Sequence, residues 1–266
     1  MIQKRLPGQT LTQLWDHLNR DQKLNVAKLV TNLVCQIATV EAPAGIKFCV
    51  PARGLGGGSF NKPNTWPAQP QSAEEHLLEQ CERWRDYQLS QGVCFEEIWD
   101  ALATISKSLG IRGFLDGPSV LSHGDLKPYN LLAEIRSPTE VEITGVLDWD
   151  SAIIAPEFMA YRAPFWLWIP DEMNSVDEDD ESTANFEPQT DEDRQLRDTF
   201  MLHASEKYKR LAFAPEALLA RRMYTILQKG IFGPWSMMEA EHIIREWAEL
   251  HPEDDVRPVD ADPTER

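Results

Sequence analysis

The chain has 266 residues, 42% of them hydrophobic, with nine Trp and ten Phe, which is enough apolar material for one large or two small folded domains and excludes a disordered chain. A formal charge of −17 argues against nucleic acid or an anionic membrane as a partner, although eleven of the acidic residues crowd into 171–193, which contains no Lys or Arg and leaves about −6 elsewhere. No stretch approaches the ~18 apolar residues of a membrane span, Met1 to Trp15 carry no signal-like apolar core, and Cys35, Cys49, Cys81 and Cys94 form no C-x-x-C pair, so the expectation is a cytoplasmic protein with reduced thiols.

In chain order, Thr10 and Gln13 form a capping-box pattern that opens a short helix through Leu18. A longer helix is expected over 21–40, with Leu24, Ala27, Val34, Ile37 and Ala38 on its apolar face. Residues 43–71, rich in Gly, Pro and Asn, read as an irregular loop. Ser72 and Glu75 repeat the capping-box pattern ahead of a helix that turns Leu77, Leu78, Cys81 and Trp84 inward, and Phe95, Ile98, Trp99, Leu102, Ile105 and Leu109 mark the next one. These stripes read as core packing. Two short strands come next at 131–136 and 141–147, joined by the turn chemistry of Ser137-Pro138-Thr139-Glu140. Helices return at about 191–211, 215–229 and 236–250, the acidic 171–193 reads as a solvated insertion, and an acidic tail over 252–266 is expected to fray. The fold class expected is α+β and mainly helical, with one small embedded β-hairpin.

The chemistry concentrates in Leu121-Ser122-His123-Gly124-Asp125-Leu126-Lys127-Pro128-Tyr129-Asn130, and after the hairpin in Val146-Leu147-Asp148-Trp149-Asp150. With the turn near Thr139, Asn130 and Asp148 fall at equal distances from it and share the open end of the ribbon. Asp125 lies just ahead of that end. Two carboxylates and an amide oxygen gathered there suit Mg²⁺, which takes a few hard protein oxygens and completes its shell with water and phosphate. Phosphoryl transfer divides its labour in this way, the metal neutralising phosphate charge while a separate carboxylate accepts the proton of the attacking hydroxyl. Asp125 is the candidate base, and Asn130 and Asp148 are the candidate metal ligands. His123 is expected to brace the loop. Lys127 either meets the phosphate as a point charge or is solvated, and Asp150 either assists the metal or caps the segment after it. A metal-dependent phosphoesterase ranks lower, since it calls for more histidines than His123.

The segment from His123 to Asn130, with Leu147-Asp148-Trp149-Asp150, resembles the catalytic and metal motifs of the aminoglycoside phosphotransferase and choline kinase group, relatives of the protein kinases. The resemblance implies a kinase-like C-terminal lobe, ATP and Mg²⁺ as cofactors, and a small-molecule hydroxyl as acceptor. It implies Asp125 as base, with Asn130 and Asp148 as metal ligands. Trp149, where protein kinases carry Phe, favours the small-molecule branch. Arg5-Leu6-Pro7-Gly8-Gln9-Thr10-Leu11 is similar to the family segment just past the interlobe hinge, so 1–10 reads as a hinge remnant and 11–251 as the lobe. Ala155-Pro156-Glu157 and Arg162-Ala163-Pro164-Phe165-Trp166 resemble fungal members of unassigned substrate.

The glycine-rich loop and strand lysine of that fold lie ahead of the hinge, where this sequence has only Met1 to Arg5. Gly54-Leu55-Gly56-Gly57-Gly58-Ser59-Phe60 comes after a long helix instead of opening a strand hairpin, so it reads as a loop near the substrate side. The expectation is therefore a lobe impaired in ATP turnover. The alternative is a catalytically silent lobe that binds a metabolite or a protein partner.

Overall fold

The computed structural model describes residues 6–41, 72–92, 95–170 and 177–257. In chain order the elements are β1 (Gln9–Thr10), α1 (Leu11–Leu14), α2 (Arg20–Ile37), α3 (Ala73–Ser90), α4 (Glu96–Ile111) and β2 (Ser119–Ser122). They continue with β3 (Leu131–Ile135), β4 (Val141–Val146), β5 (Ile153–Pro156), α5 (Glu157–Ala160) and α6 (Glu181–Ala184). The last four are α7 (Asp191–His203), α8 (Glu206–Phe213), α9 (Pro215–Lys229) and α10 (Pro234–Leu250). The architecture is α+β and mainly helical, and no helix among the described residues is long and apolar enough to cross a membrane. The loop expected at 43–71, including Gly54 to Phe60, lies outside the described residues.

The chain divides into two compact units, one drawn from Met1–Val40, Val120–Ile153 and Met159–Ala214, the other from Glu41–Ser119, Ile154–Phe158 and Pro215–Arg266. The first carries the expected hairpin. β3 and β4 pair antiparallel, and β1 adds a third strand through Gln9↔Ala133 and Thr10↔Leu132. A two-residue strand is too short for sequence periodicity to reveal. Gly8 makes the close approach possible: its φ is +99°, and a Cβ there would lie 2.6 Å from the Ala133 carbonyl oxygen.

Helix α2 opens with a capping box between Asn19 and Gln22 and buries Val26, Val30 and Val34 in one row at i, i+4 spacing. Leu24 and Ile37, expected on that face, are only half-buried at its flanks. The N-terminal turns of α2 also hold the hairpin. Asn19 Nδ2 donates to the Pro138 carbonyl at 2.7 Å, Gln22 Nε2 to Ser137 at 2.9 Å, and Asn25 Oδ1 accepts from Val141 N at 2.8 Å.

Two expectations need correction. The helix read at 191–211 is broken, because Ala204 takes extended backbone and Ser205 caps α8 by accepting from Tyr208 N at 3.1 Å. The acidic segment, expected to be solvated, is anchored from residue 177 onward. Asp180 caps α6, Asp179, Thr183 and Ala184 are buried, Glu187 pairs with Arg197 at 2.8 Å, and Glu192 pairs with Lys23 at 2.6 Å. Composition gives the charge of this stretch correctly and misses the cations that meet it.

The second unit packs α3, α4, α9 and α10 together. Trp84 and Trp99 stack at 6.2 Å in its core, and each indole N–H finds an acceptor, the Leu227 carbonyl at 2.7 Å and Gln88 Oε1 at 2.6 Å. The tail expected to fray from Pro252 is in part docked here. Asp254 accepts from Ser108 at 2.5 Å and from the Trp247 indole at 2.9 Å, Arg112 lies 3.1 Å from it, and Val256 is buried. Burial alone would raise the Asp254 carboxyl, but these partners outweigh it and hold it below the usual range.

Candidate active site

The candidate site residues His123, Asp125, Lys127, Asn130, Asp148 and Asp150 all lie in the first unit, on the loop after β2 and at the open end of the hairpin. The loop is tightly wound. Ser122 Oγ donates to the Met159 carbonyl at 3.0 Å and fixes its start, Lys127 N reaches the Asp125 carbonyl at 3.0 Å, and Pro128 begins a 3-10 turn, Pro128–Asn130, that delivers Asn130 into β3. Gly124 has φ +80°, and a Cβ there would meet the Ser151 carbonyl oxygen at 2.5 Å, so this crossing of two backbones requires glycine.

Leu147 N donates to the Asn130 carbonyl at 2.8 Å, which joins the two motifs at the open end of the ribbon. The equal-distance reading of Asn130 and Asp148 is off by one residue: the turn centres on Pro138 and not Thr139, which alone would set Asn130 opposite Val146, and a bulge between Leu132 and Ala133 restores one residue of that difference. Asn130 therefore sits opposite Leu147, and Asp148 is the first residue past the pair. It leaves the strand with φ 55° and ψ 63°, a left-handed conformation that is strained for a residue with a Cβ. That turn directs the chain into the 3-10 turn Trp149–Ser151, where Asp150 is exposed.

His123 is buried and hydrogen-bonded at both ring nitrogens. Its Nε2 lies 2.9 Å from the Leu147 carbonyl and its Nδ1 accepts from Asp125 N at 3.3 Å, while the Trp149 ring covers it at 4.6 Å. A carbonyl can only accept, so the proton is on Nε2 and both ring nitrogens are engaged. Asn130 Nδ2 lies 2.9 Å from the Asp125 carbonyl and 3.0 Å from Asp125 Oδ2. Both neighbours are oxygens, which fixes the amide nitrogen on that side and leaves Oδ1 for another partner.

Tyr129, which no motif logic singles out, donates to both carboxylate oxygens of Asp125 at 2.9 and 3.0 Å. Partial desolvation and the bond to Asp125 push its phenol up to about 12, so it remains a donor at neutral pH. Lys127 is ion-paired with Glu178, and Arg162 lies 3.7 Å from Glu178 and 3.0 Å from Asp179. A cavity of about 60 Å³ opens beside Asp125, lined by Val30, Val34 and Met159 on its apolar side and by Lys127, Arg162 and Glu178 on its charged side. A second cavity, about 520 Å³, shares Lys127 and Trp166 and adds Trp15, Asp16 and Tyr129. The contributions of Glu178 and Trp166 had no motif to announce them, although Arg162-Ala163-Pro164-Phe165-Trp166 stood out as a block.

The Asp125 carboxylate held by two donors, the Asn130 amide oxygen and Asp148 in its left-handed turn together make up the candidate site at the end of the β-ribbon. A family model described as "Phosphotransferase enzyme family" matches residues 1–158, more than half of the chain, and the chain belongs to that family. No curated protein matches it. Among solved structures, the ADP-bound crystal structure of the aminoglycoside phosphotransferase APH(2'')-Ib is similar at 13% identity, with a TM-score of 0.48, over 93% of this chain and 71% of that one.

Proposed function

We propose that this chain is a cytoplasmic enzyme that transfers the terminal phosphoryl group of ATP, with Mg²⁺, to the hydroxyl of a small molecule. The observation that supports this most directly is the orientation of Asn130: its Nδ2 is held by Asp125, which leaves Oδ1 as the oxygen available to a cation beside Asp148. Among the described residues no three His, Cys, Asp or Glu gather as a closed metal cage. One amide oxygen and one carboxylate fit Mg²⁺, which keeps much of its shell for water and phosphate. When bound, the ion would neutralise phosphate charge.

Asp125 accepts the proton of the acceptor hydroxyl, and the donors from Asn130 and Tyr129 hold its carboxylate in place. His123 is not the base, because Nε2–H is given to Leu147 and Nδ1 is occupied by Asp125 N. Lys127 supplies positive charge at the transferred group once released from Glu178. Asp150 supports the turn after Asp148. The silent-lobe reading draws on that same ion pair, since the cation meant for phosphate is already neutralised.

Thermal unfolding separates the two. ATP with Mg²⁺ is expected to raise the melting temperature of the wild-type chain and of Asp125→Ala, but not of Asp148→Ala. Chemistry is then scored by ATP turnover against a panel of small alcohols, where Asp125→Ala is expected to lose about 10²- to 10⁴-fold. A wild-type chain that ATP and Mg²⁺ leave unmoved supports the silent lobe and ends the enzymatic reading.

A further inference from the structure

The acidic segment and the block containing Arg162 meet at one point, and the phosphotransferase reading assigns a role to neither. Glu178 presents one carboxylate oxygen to Lys127 and the other to Arg162, 3.7 Å away. All three side chains line the cavity that also receives Asp125. Trp166 lines the same cavity, is nine-tenths buried, and has an indole N–H with no hydrogen-bond acceptor among the described residues. A buried N–H without an acceptor destabilises the protein unless something fills the site. Two cations thus share one small space with the Asp125 and Glu178 carboxylates, and Trp166, with its unpartnered N–H, stands beside them.

We infer that Lys127, Arg162 and Trp166 form an anion seat beside Asp125, and that Glu178 is an intramolecular stand-in for the group the seat is built to take. That group is a carboxylate or a phosphoryl group carried on a hydroxylated molecule. With Glu178 in place the cavity is only about 60 Å³, room for a few water-sized groups. Release of Glu178 opens the seat and frees Lys127 together. Asp179 stays 3.0 Å from Arg162 and Asp180 caps α6, so the segment keeps an anchor when Glu178 lets go. A tethered carboxylate competes at high effective concentration and lowers apparent affinity by the fraction of time the seat is closed. The inference deepens the phosphotransferase reading by placing an anionic group, on the acceptor or as the transferred phosphoryl, in a seat beside Asp125; the anion seat itself stands on the geometry of these four residues.

The test is calorimetric titration of the full chain without nucleotide or magnesium, which makes it blind to whether Asp125 acts as a base. The probes are 3-hydroxybutyrate, inorganic phosphate and tetramethylammonium. Glu178→Gln keeps the shape and removes the charge, and is expected to bind at least one of the two anions fivefold or more tighter than wild type. Adding Lys127→Gln or Arg162→Gln to that variant is expected to abolish the gain. A gain for 3-hydroxybutyrate places the acceptor in the seat, and a gain for phosphate places the transferred group there. The inference is overturned if neither anion gains, if the gain survives the second substitution, or if the cation gains instead. Melting temperatures measured on each variant show that a lost signal is lost binding and not lost fold. Wild-type response to ATP with Mg²⁺ reports separately on the phosphotransferase reading.

Discussion

The helical second unit and the β-ribbon of the first are each stabilised by different means. The helical unit rests on large buried rings: Trp84 stacks on Trp99, and Tyr224, Ile243 and Trp247 are nearly inaccessible. The ribbon has little side-chain bulk. Its turn is held by Asn19, Gln22 and Asn25, and its open end by His123. The contrast teaches that one unit carries its stability in volume, while the other carries its geometry in a few directed hydrogen bonds.

The largest expected effect falls on the volume side. Trp84→Ala empties the centre of the helical unit and strands the Leu227 carbonyl, and is expected to lower unfolding free energy by about 3–5 kcal/mol in chemical denaturation. A loss below about 1 kcal/mol would show that this core is not what holds the unit.

A second contrast lies in the response to acid. His76 in α3 is buried, and burial above all, with Arg83 adding to it and Glu79 opposing, brings its pKa down to about 4. The folded unit therefore keeps His76 neutral while the unfolded chain takes up a proton near pH 6.5. Stability from this group is complete above about pH 6.5 and is lost as pH falls towards 4, on the order of 3 kcal/mol in all. Denaturation measured from pH 7 to 4 is expected to show that decline in wild type and a flatter profile in His76→Gln. Equal slopes would remove His76 as the cause.

The smallest effect tests the ribbon and has the opposite sign. Asp148→Gly relieves the left-handed backbone at φ 55° and is expected to stabilise the chain by about 1 kcal/mol, while abolishing any stabilisation by ATP with Mg²⁺. Unchanged or lower stability would mean that the conformation carries no strain.

Much of this was legible in the sequence because it is written in local chemistry. The capping boxes at Thr10/Gln13 and Ser72/Glu75 form as read, as do the hairpin and α9. The pairing of the two motifs across the hairpin end was legible from turn placement alone. What was missed depends on distance along the chain or on single-residue irregularity. The bulge at Leu132 and Ala133 has no side-chain signature, β1 is too short for periodicity, and the charge run at 177–193 could be read only as solvated until Lys127, Arg162, Arg197 and Lys23 were seen to meet it. The box at Asn19 and Gln22 carries the same pattern of a side-chain acceptor followed three residues later by Gln.

The three polar side chains of α2 that grip the hairpin turn have a consequence for anyone sorting natural variation. Asn19, Gln22 and Asn25 lie away from the candidate site residues in sequence, and the polar Asn19 and Asn25 would pass as ordinary helix changes although Gln22 is buried. Yet they tether the turn of the same paired ribbon whose open end carries Asn130 and leads into Asp148. Alleles at these three positions are therefore expected to act on the ribbon that carries the candidate site, and not only on the helix surface.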